Sequence, residues 1–353
     1  MPMHRFPSRI ELALAAAALL LAACSSDPST APIVPVDKSI TVDASTGYTY
    51  LALDTTAQVV TVASPSTSTA WDMGFYATGV TTNGGAAGPG GVGVYCLCGN
   101  AGATTAEIQA MTTANQLATF DAVTAADIPA TAMFQADALD PIINGWYTGT
   151  GAAATVTPGR TWILRKTVGG SPILGKFQVT AITGPSATTP GQVSVQYAIQ
   201  PTTGAAFGAT VTSTVTVTAG TKVYFDLTAG GPGSPASWDL AIDGWSILVN
   251  GGVSGSGTVA AALDQTTAFN AIDATYAATV PPQAYRSDTF SGAFAQHPWY
   301  KYNITGTDNQ IWPLFNVYLV RRGSAVFKVQ LTGYYSGAGA PRNITIRYAQ
   351  LAG

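Results

Sequence analysis

Beyond residue 39 the chain is written in short runs that alternate apolar and polar side chains, punctuated by Gly, Pro, Asn and Ser. That is the period of half-buried β-strands rather than of helices. Predicted strands include Tyr48-Thr49-Tyr50-Leu51-Ala52-Leu53, Trp162-Ile163-Leu164-Arg165-Lys166, Lys176-Phe177-Gln178-Val179 and Val193-Ser194-Val195-Gln196-Tyr197-Ala198. Each has a counterpart later in the chain: Lys222-Val223-Tyr224-Phe225-Asp226-Leu227, Tyr318-Leu319-Val320-Arg321-Arg322, Lys328-Val329-Gln330-Leu331 and Ile344-Thr345-Ile346-Arg347-Tyr348-Ala349. The sharpest repetition is Trp71-Asp72-Met73 leading to Asn83-Gly84-Gly85, against Trp238-Asp239-Leu240 leading to Asn250-Gly251-Gly252, 167 residues on. In both, Trp and Asn are 12 residues apart, and further glycines follow at Gly88 and Gly90 or at Gly255 and Gly257. A duplication explains this, so each copy serves as a control for residues proposed in the other.

The Asn-Gly-Gly after each Trp-Asp strand supplies residues that tolerate positive φ, as a tight hairpin turn requires. A short helix-like piece follows, Thr119-Phe120-Asp121-Ala122-Val123 or Ala268-Phe269-Asn270-Ala271-Ile272, then Trp146-Tyr147 or Trp299-Tyr300. Copy 1 carries about 18 extra residues between Val94 and Leu117, including Cys96 and Cys98. The expected fold is mainly β, two tandem antiparallel β domains with one or two short helices each, over 39–203 and 204–353, with a linker near Thr202 to Thr210. Each copy is long enough to bury a core of its own.

The N-terminus follows a different pattern. Arg5 and Arg9 precede an apolar run from Leu12 to Ala23, too short to span a bilayer, then Leu21-Ala22-Ala23-Cys24 and Ser25. Residues 1–23 read as a lipoprotein signal peptide and Cys24 as the lipidated residue, with 24–38 a Pro-containing tether. Acyl chains would hold the protein to a membrane. Ser25, rather than Asp, after the Cys resembles an outer-membrane sorting signal, which places the chain in a bacterial cell envelope, on the periplasmic or surface face.

Composition narrows function by exclusion. Charged residues are 9% of the chain and the formal net charge is −3. Nucleic-acid binding, which depends on Lys and Arg neutralising phosphates, is excluded on that ground. Once Cys24 is lipidated, Cys96 and Cys98 remain. In an exported protein they meet an oxidising compartment, and they read either as a disulfide, given a local bend that Gly99-Asn100 could supply, or as free or ligating thiols. Neither a c-type haem site nor a zinc site has the Cys and His it needs.

The Trp-Asp strand ending in Asn-Gly-Gly, the Trp-Tyr pair, the strand carrying basic residues, the Lys-x-Gln strand and the final strand ending Tyr-Ala together resemble the HmuY family of bacterial haem-binding lipoproteins, twice over. The resemblance implies a mainly β fold and noncovalent capture of haem or a related tetrapyrrole between two axial side chains, with no chemistry on the ligand. The family's best-known ligand pattern is two histidines, with methionine in other members. Here the mature chain has one, His297, whose counterpart two residues before Trp146 is Asn144. Met111 and Met133 are the soft-ligand candidates of copy 1, against a reading as apolar filling; Met73 aligns with Leu240 and reads as core. No metal beyond haem iron is implied.

Other constellations fall to structural readings. Gly88-Pro89-Gly90-Gly91-Val92-Gly93 has the spacing of a dinucleotide loop but runs into a strand, and copy 2 has Ala260 at the last position. No G-x-S-x-G elbow occurs, and Asp72 and Asp239, the repeated acids, read as turn or ladder hydrogen bonds beside a core Trp. Catalysis is not expected. Arg165-Lys166 and Arg321-Arg322 read as a solvated strand edge or a partner contact. A rival to haem capture is a structural or accessory subunit of a membrane-attached protein assembly, which low charge and exposed aromatics such as Tyr334-Tyr335 would suit.

Overall fold

The computed structural model describes residues 38–352. The expected signal peptide, the Cys24 lipidation site and all of the tether but Lys38 lie outside the described residues. Among the described residues all strand pairings within the sheets are antiparallel, and the fold is mainly β with four short α-helices: α1 (Thr105–Ala110), α2 (Leu117–Asp121), α3 (Ala274–Ala278) and α4 (Ala293–Gln296). Among the described residues no helix is long and apolar enough to cross a membrane.

Strand order shows how the copies are combined. One five-stranded sheet runs Lys38–Asp43, Asn343–Ala352, Ala325–Gly333, Val317–Arg322, Val92–Cys96. A second runs Val211–Thr216, Gln192–Ile199, Ser171–Thr183, Thr161–Val168, Ala260–Asp264. Each sheet thus takes its central three strands from the C-terminal part of one copy and its two outer strands from the N-terminal part of the other. The registers are continuous: Ile40 faces Ile346, Tyr318 faces Cys96, Trp162 faces Leu263, and Val193 faces Val215. The chain crosses over at a short pair, Ala138–Asp140 with Thr289–Ser291, where Leu139 faces Phe290.

The cores follow the exchange. One joins Val42, Leu51, Met73 and Phe75 of copy 1 to Trp299, Tyr318, Phe327 and Ile344 of copy 2. The other joins Trp146, Trp162, Phe177 and Val195 of copy 1 to Phe225, Leu240, Ile247 and Val259 of copy 2. The boundary expected at residue 203/204 therefore separates sequence copies but not packed bodies. Two copies of similar pattern present similar strand edges, so either can complete the other's sheet. The intervening segment is itself held, with Gln200 Nε2 donating to the Ala205 carbonyl at 2.7 Å and Phe207 packed against the small core of Ile163, Ile272 and Tyr285.

Buried polar contacts repeat the exchange. Arg322 pairs with Asp72 at 2.8 Å and Lys166 with Asp239 at 2.7 Å, each pair joining one copy to the other. Asp72 and Asp239 also accept from the Leu53 and Leu227 amides. Lys176 donates to the Phe269 and Ile272 carbonyls at 2.7 and 2.8 Å, and Lys328 donates to the Phe120 and Val123 carbonyls at 2.9 and 3.2 Å. The basic strands are not sheet edges: Thr161–Val168 and Val317–Arg322 are paired on both sides, and Lys166 and Arg322 bind buried carboxylates, whereas Arg165 lies over the Tyr285 ring and Arg321 donates to the Gly323 carbonyl.

The Trp-Asp segments form hairpins of their own, with Met73–Tyr76 returning as Gly79–Thr82 and Leu240–Asp243 as Ser246–Val249. The tight turns are at Ala77 and Gly244, both at positive φ, and not at Asn-Gly-Gly as expected. Asn83 instead braces the following loop. Its Nδ2 donates to the Ser68 and Trp71 carbonyls, and its Oδ1 accepts from the Gly90 amide. Asn250 makes the matching bonds to the Trp238 carbonyl and the Gly257 amide. A Cβ at Gly88 or Gly255 would sit 2.1 Å from the Asn oxygen, which explains the repeated glycines. Val92–Cys96 continues as a strand, so the Gly-rich loop is a turn.

Candidate functional site

The hairpin turn at Ala77-Thr78 meets the Trp299-Tyr300 pair of the other copy. Trp299 Nε1 donates to the Thr78 carbonyl at 2.9 Å and the Tyr300 hydroxyl to Thr78 Oγ1 at 3.1 Å. Beside this contact opens a cleft of about 560 Å³. Tyr48, Tyr76, Tyr300, Phe290, Phe294 and Trp299 supply its aromatic walls, and Val80, Pro298 and Val253 add apolar surface. Its polar lining includes Thr81, Ser287 and Arg286.

Each wall has a local cause. Tyr48 lies just before the strand Thr49–Ala52 and Tyr76 at the end of Met73–Tyr76, two paired strands, so their rings meet at 5.6 Å. Both remain exposed, at 41% and 44%. Partial loss of solvent among these rings, then the neighbouring Tyr50, Asp137 and Tyr76, push the Tyr48 phenol above its ordinary range. Trp299 is buried under the cleft, and Phe294 on α4 packs against Tyr318 at 4.3 Å. Two buried carboxylates frame the crossover below. Asp137 accepts from Thr81 Oγ1 at 2.6 Å and from the Thr82 amide at 2.7 Å. Asp288 accepts from the Ile142 and Val249 amides, each at 2.9 Å. Burial is the largest influence on both and raises both above the usual carboxylate range.

The residues singled out from sequence lie elsewhere. His297 is the exposed C-cap of α4; its carbonyl accepts from the Tyr318 hydroxyl at 2.7 Å, but it is not among the residues lining the cleft between its neighbours Ala295 and Pro298. Met111 caps α1 and lines two other depressions, one of about 410 Å³ with Trp312 and Tyr335 and one of about 490 Å³ with Asn100 and Glu107. Met133 ends a 3-10 turn and is 52% exposed. None of His297, Met111 and Met133 therefore lines the cleft. Cys96 and Cys98 are joined by a disulfide, with the bend at Cys98 itself, which has φ of 43°. Tyr334 is not an exposed aromatic but a buried part of the core, at 8% exposure, and the Tyr335 hydroxyl accepts from the Ile311 amide.

The insertion of copy 1 docks beside the strand pair Tyr300–Tyr302 and Ile311–Pro313: the Asn100 amide donates to Asn316 Oδ1, Asn100 Nδ2 to the Leu314 carbonyl, and Lys301 to the Ala103 carbonyl. Of the cleft residues, Tyr48 reads in sequence only as the start of a strand, and Tyr76 and Thr78 carry no motif. The readable signal was the disagreement of the copies there, since strand pairing aligns them with Lys222, Asp243 and Trp245.

Comparison with known proteins places the chain. Among solved structures it is similar to a candidate lipoprotein from Bacteroides fragilis NCTC 9343, at 18% identity over 44% of this chain and 88% of that one, with a TM-score of 0.16. It is also similar to a candidate HmuY-like heme binding protein from Bacteroides vulgatus ATCC 8482, at 18% identity over 36% of this chain and 83% of that one, again with a TM-score of 0.16. No curated protein matches it. Neither structural likeness bears weight at that TM-score, so the assignment rests on sequence. The HmuY protein family matches residues 44–197 and again 218–348, together most of the chain. The chain belongs to the HmuY family, as two copies in tandem.

Proposed function

We propose that this protein is a non-enzymatic, lipid-anchored component of the bacterial cell envelope that captures haem or a related tetrapyrrole in the cleft beside Trp299-Tyr300. The observation that carries the reading is the cleft itself: about 560 Å³, walled by three tyrosines and two phenylalanines over a buried Trp, in a chain of the HmuY family. That volume lies within the roughly 300–1,000 Å³ of small-molecule sites, and the lining is apolar with few polar groups, as such sites are. Aromatic rings favour offset or edge contacts with another π-system. Arg286 at the rim offers a cation for a ligand carboxylate. The Leu-Ala-Ala-Cys24 sequence supports anchoring.

In this reading the ring is held by packing, and His297, Met111 and Met133 are not its ligands. Absorbance titration of the mature chain with haem tests it. A saturable Soret change is expected, retained when His297, Met111 and Met133 are all replaced by Ala, and weakened by about tenfold or more in the Tyr48→Ala, Tyr76→Ala double variant, from the roughly 1.4 kcal/mol or more that two lost aromatic contacts represent. No saturable change in the parent protein would overturn the reading. Loss of binding in the triple variant alone would overturn the packing mode.

A further inference from the structure

We propose that the tandem holds one working cleft, and that Trp245, with Lys222 and Asp243, withholds the equivalent place in the other half from a planar ligand. The inference rests on the tetrapyrrole reading above and assigns its stoichiometry.

The two halves build the same corner from matching parts. In one, the turn residue facing the Trp-Tyr pair is Thr78, whose small side chain is used in a hydrogen bond to Tyr300. In the other, the same place in the hairpin holds Trp245, and its ring lies on Tyr147 at 4.5 Å and on Trp146 at 6.0 Å with 28° between planes. The indole takes the place beside the Trp-Tyr pair that Thr78 leaves open in the first half; the depression of about 470 Å³ that remains at this corner has Ile143, Asn144, Gly145 and Trp245 itself in its lining, with no second aromatic wall from the positions of Lys222 and Asp243.

The walls differ in chemistry too. The aromatic pair Tyr48 and Tyr76 is replaced at the same positions by Lys222 and Asp243, an ion pair at 3.7 Å. A flat apolar ring gains nothing from that wall and would strip water from two charges. The backbone differs as well. Ahead of Trp299, the chain forms α4, whose Phe294 and Ala295 line the cleft. Ahead of Trp146, Ile143 instead bridges directly to Ile247 in the hairpin strand. Three independent differences therefore act in one direction.

Counting haem bound per mature chain by absorbance titration or calorimetry tests this, with melting temperature and far-UV circular dichroism as fold checks. The parent chain should bind one. The Lys222→Tyr, Asp243→Tyr, Trp245→Thr variant should bind two, and Thr78→Trp should weaken the single site at least tenfold while the fold is kept. If the triple variant fails to fold, Thr78→Trp decides. Two haems on the parent chain, or parent-like binding by Thr78→Trp, would overturn this inference alone. No haem on the parent would overturn the tetrapyrrole reading and this inference with it.

Discussion

Asn83 and Asn250 carry the best repeated signature of the sequence, and their job is bracing. Asn83 joins two carbonyls and an amide across its loop, whereas Asn250 has one carbonyl and one amide. At about 1 kcal/mol per hydrogen bond, Asn83→Ala should cost roughly 2–3 kcal/mol and Asn250→Ala about 1 kcal/mol less. Urea denaturation of both variants checks the order. The buried Asp288 gives a pH signature. Burial raises its folded-state pKa above the ordinary value of 3.8, so the folded chain takes up that proton first. Stability from this proton is full below pH 3.8 and is lost as pH rises through the folded value. The deficit of Asp288→Asn relative to the parent should therefore widen on acidification from pH 7 towards 4, as read from denaturation midpoints; a constant or narrowing deficit would contradict the shift. None of this was legible at the residue level, where Asn-Gly-Gly reads as a hairpin turn, because side-chain bonds across a loop leave no periodic trace.

At the scale of elements, alternation was enough to find strands such as Val193–Ala198 and Ile344–Ala349 within Gln192–Ile199 and Asn343–Ala352. It could not say which strand each would pair with. Hydrophobic period fixes a strand's inward face, while partner choice is nonlocal, and here the two copies offer nearly interchangeable partners. The basic residues were the available clue: Arg322 and Lys166 are repeated at one end of a strand, as Asp72 and Asp239 are at the start of another. Arg322→Ala leaves Asp72, 1% exposed, with the Leu53 amide as its remaining partner. A loss of about 2–3 kcal/mol is expected, since removing one partner leaves a buried charge unpaired. The Asp72→Asn, Arg322→Ala double variant should lose less than the sum of the single losses; additive losses in a double-mutant cycle would show that the pair is not coupled.

For the whole molecule, the exchange makes the tandem one body. A chain cut by a protease site placed in residues 203–206 should still migrate as a single species of full mass, because each fragment keeps strands in both sheets. Fragments that separate into folded monomers on size exclusion would refute the exchanged arrangement. The family and the mainly β class were legible from motif and period. The site was only half legible: the Trp-Tyr pair stood out, but Tyr48 and Tyr76 come from the N-terminal part of copy 1 and meet Trp299 only after the exchange. The most direct test of the account is a crystal structure of the mature protein with haem. One tetrapyrrole per chain is expected in the cleft between Tyr48, Tyr76 and Tyr300, with no His or Met on its iron. A ring bound instead through His297 or Met111, or in the corner occupied by Trp245, would contradict it.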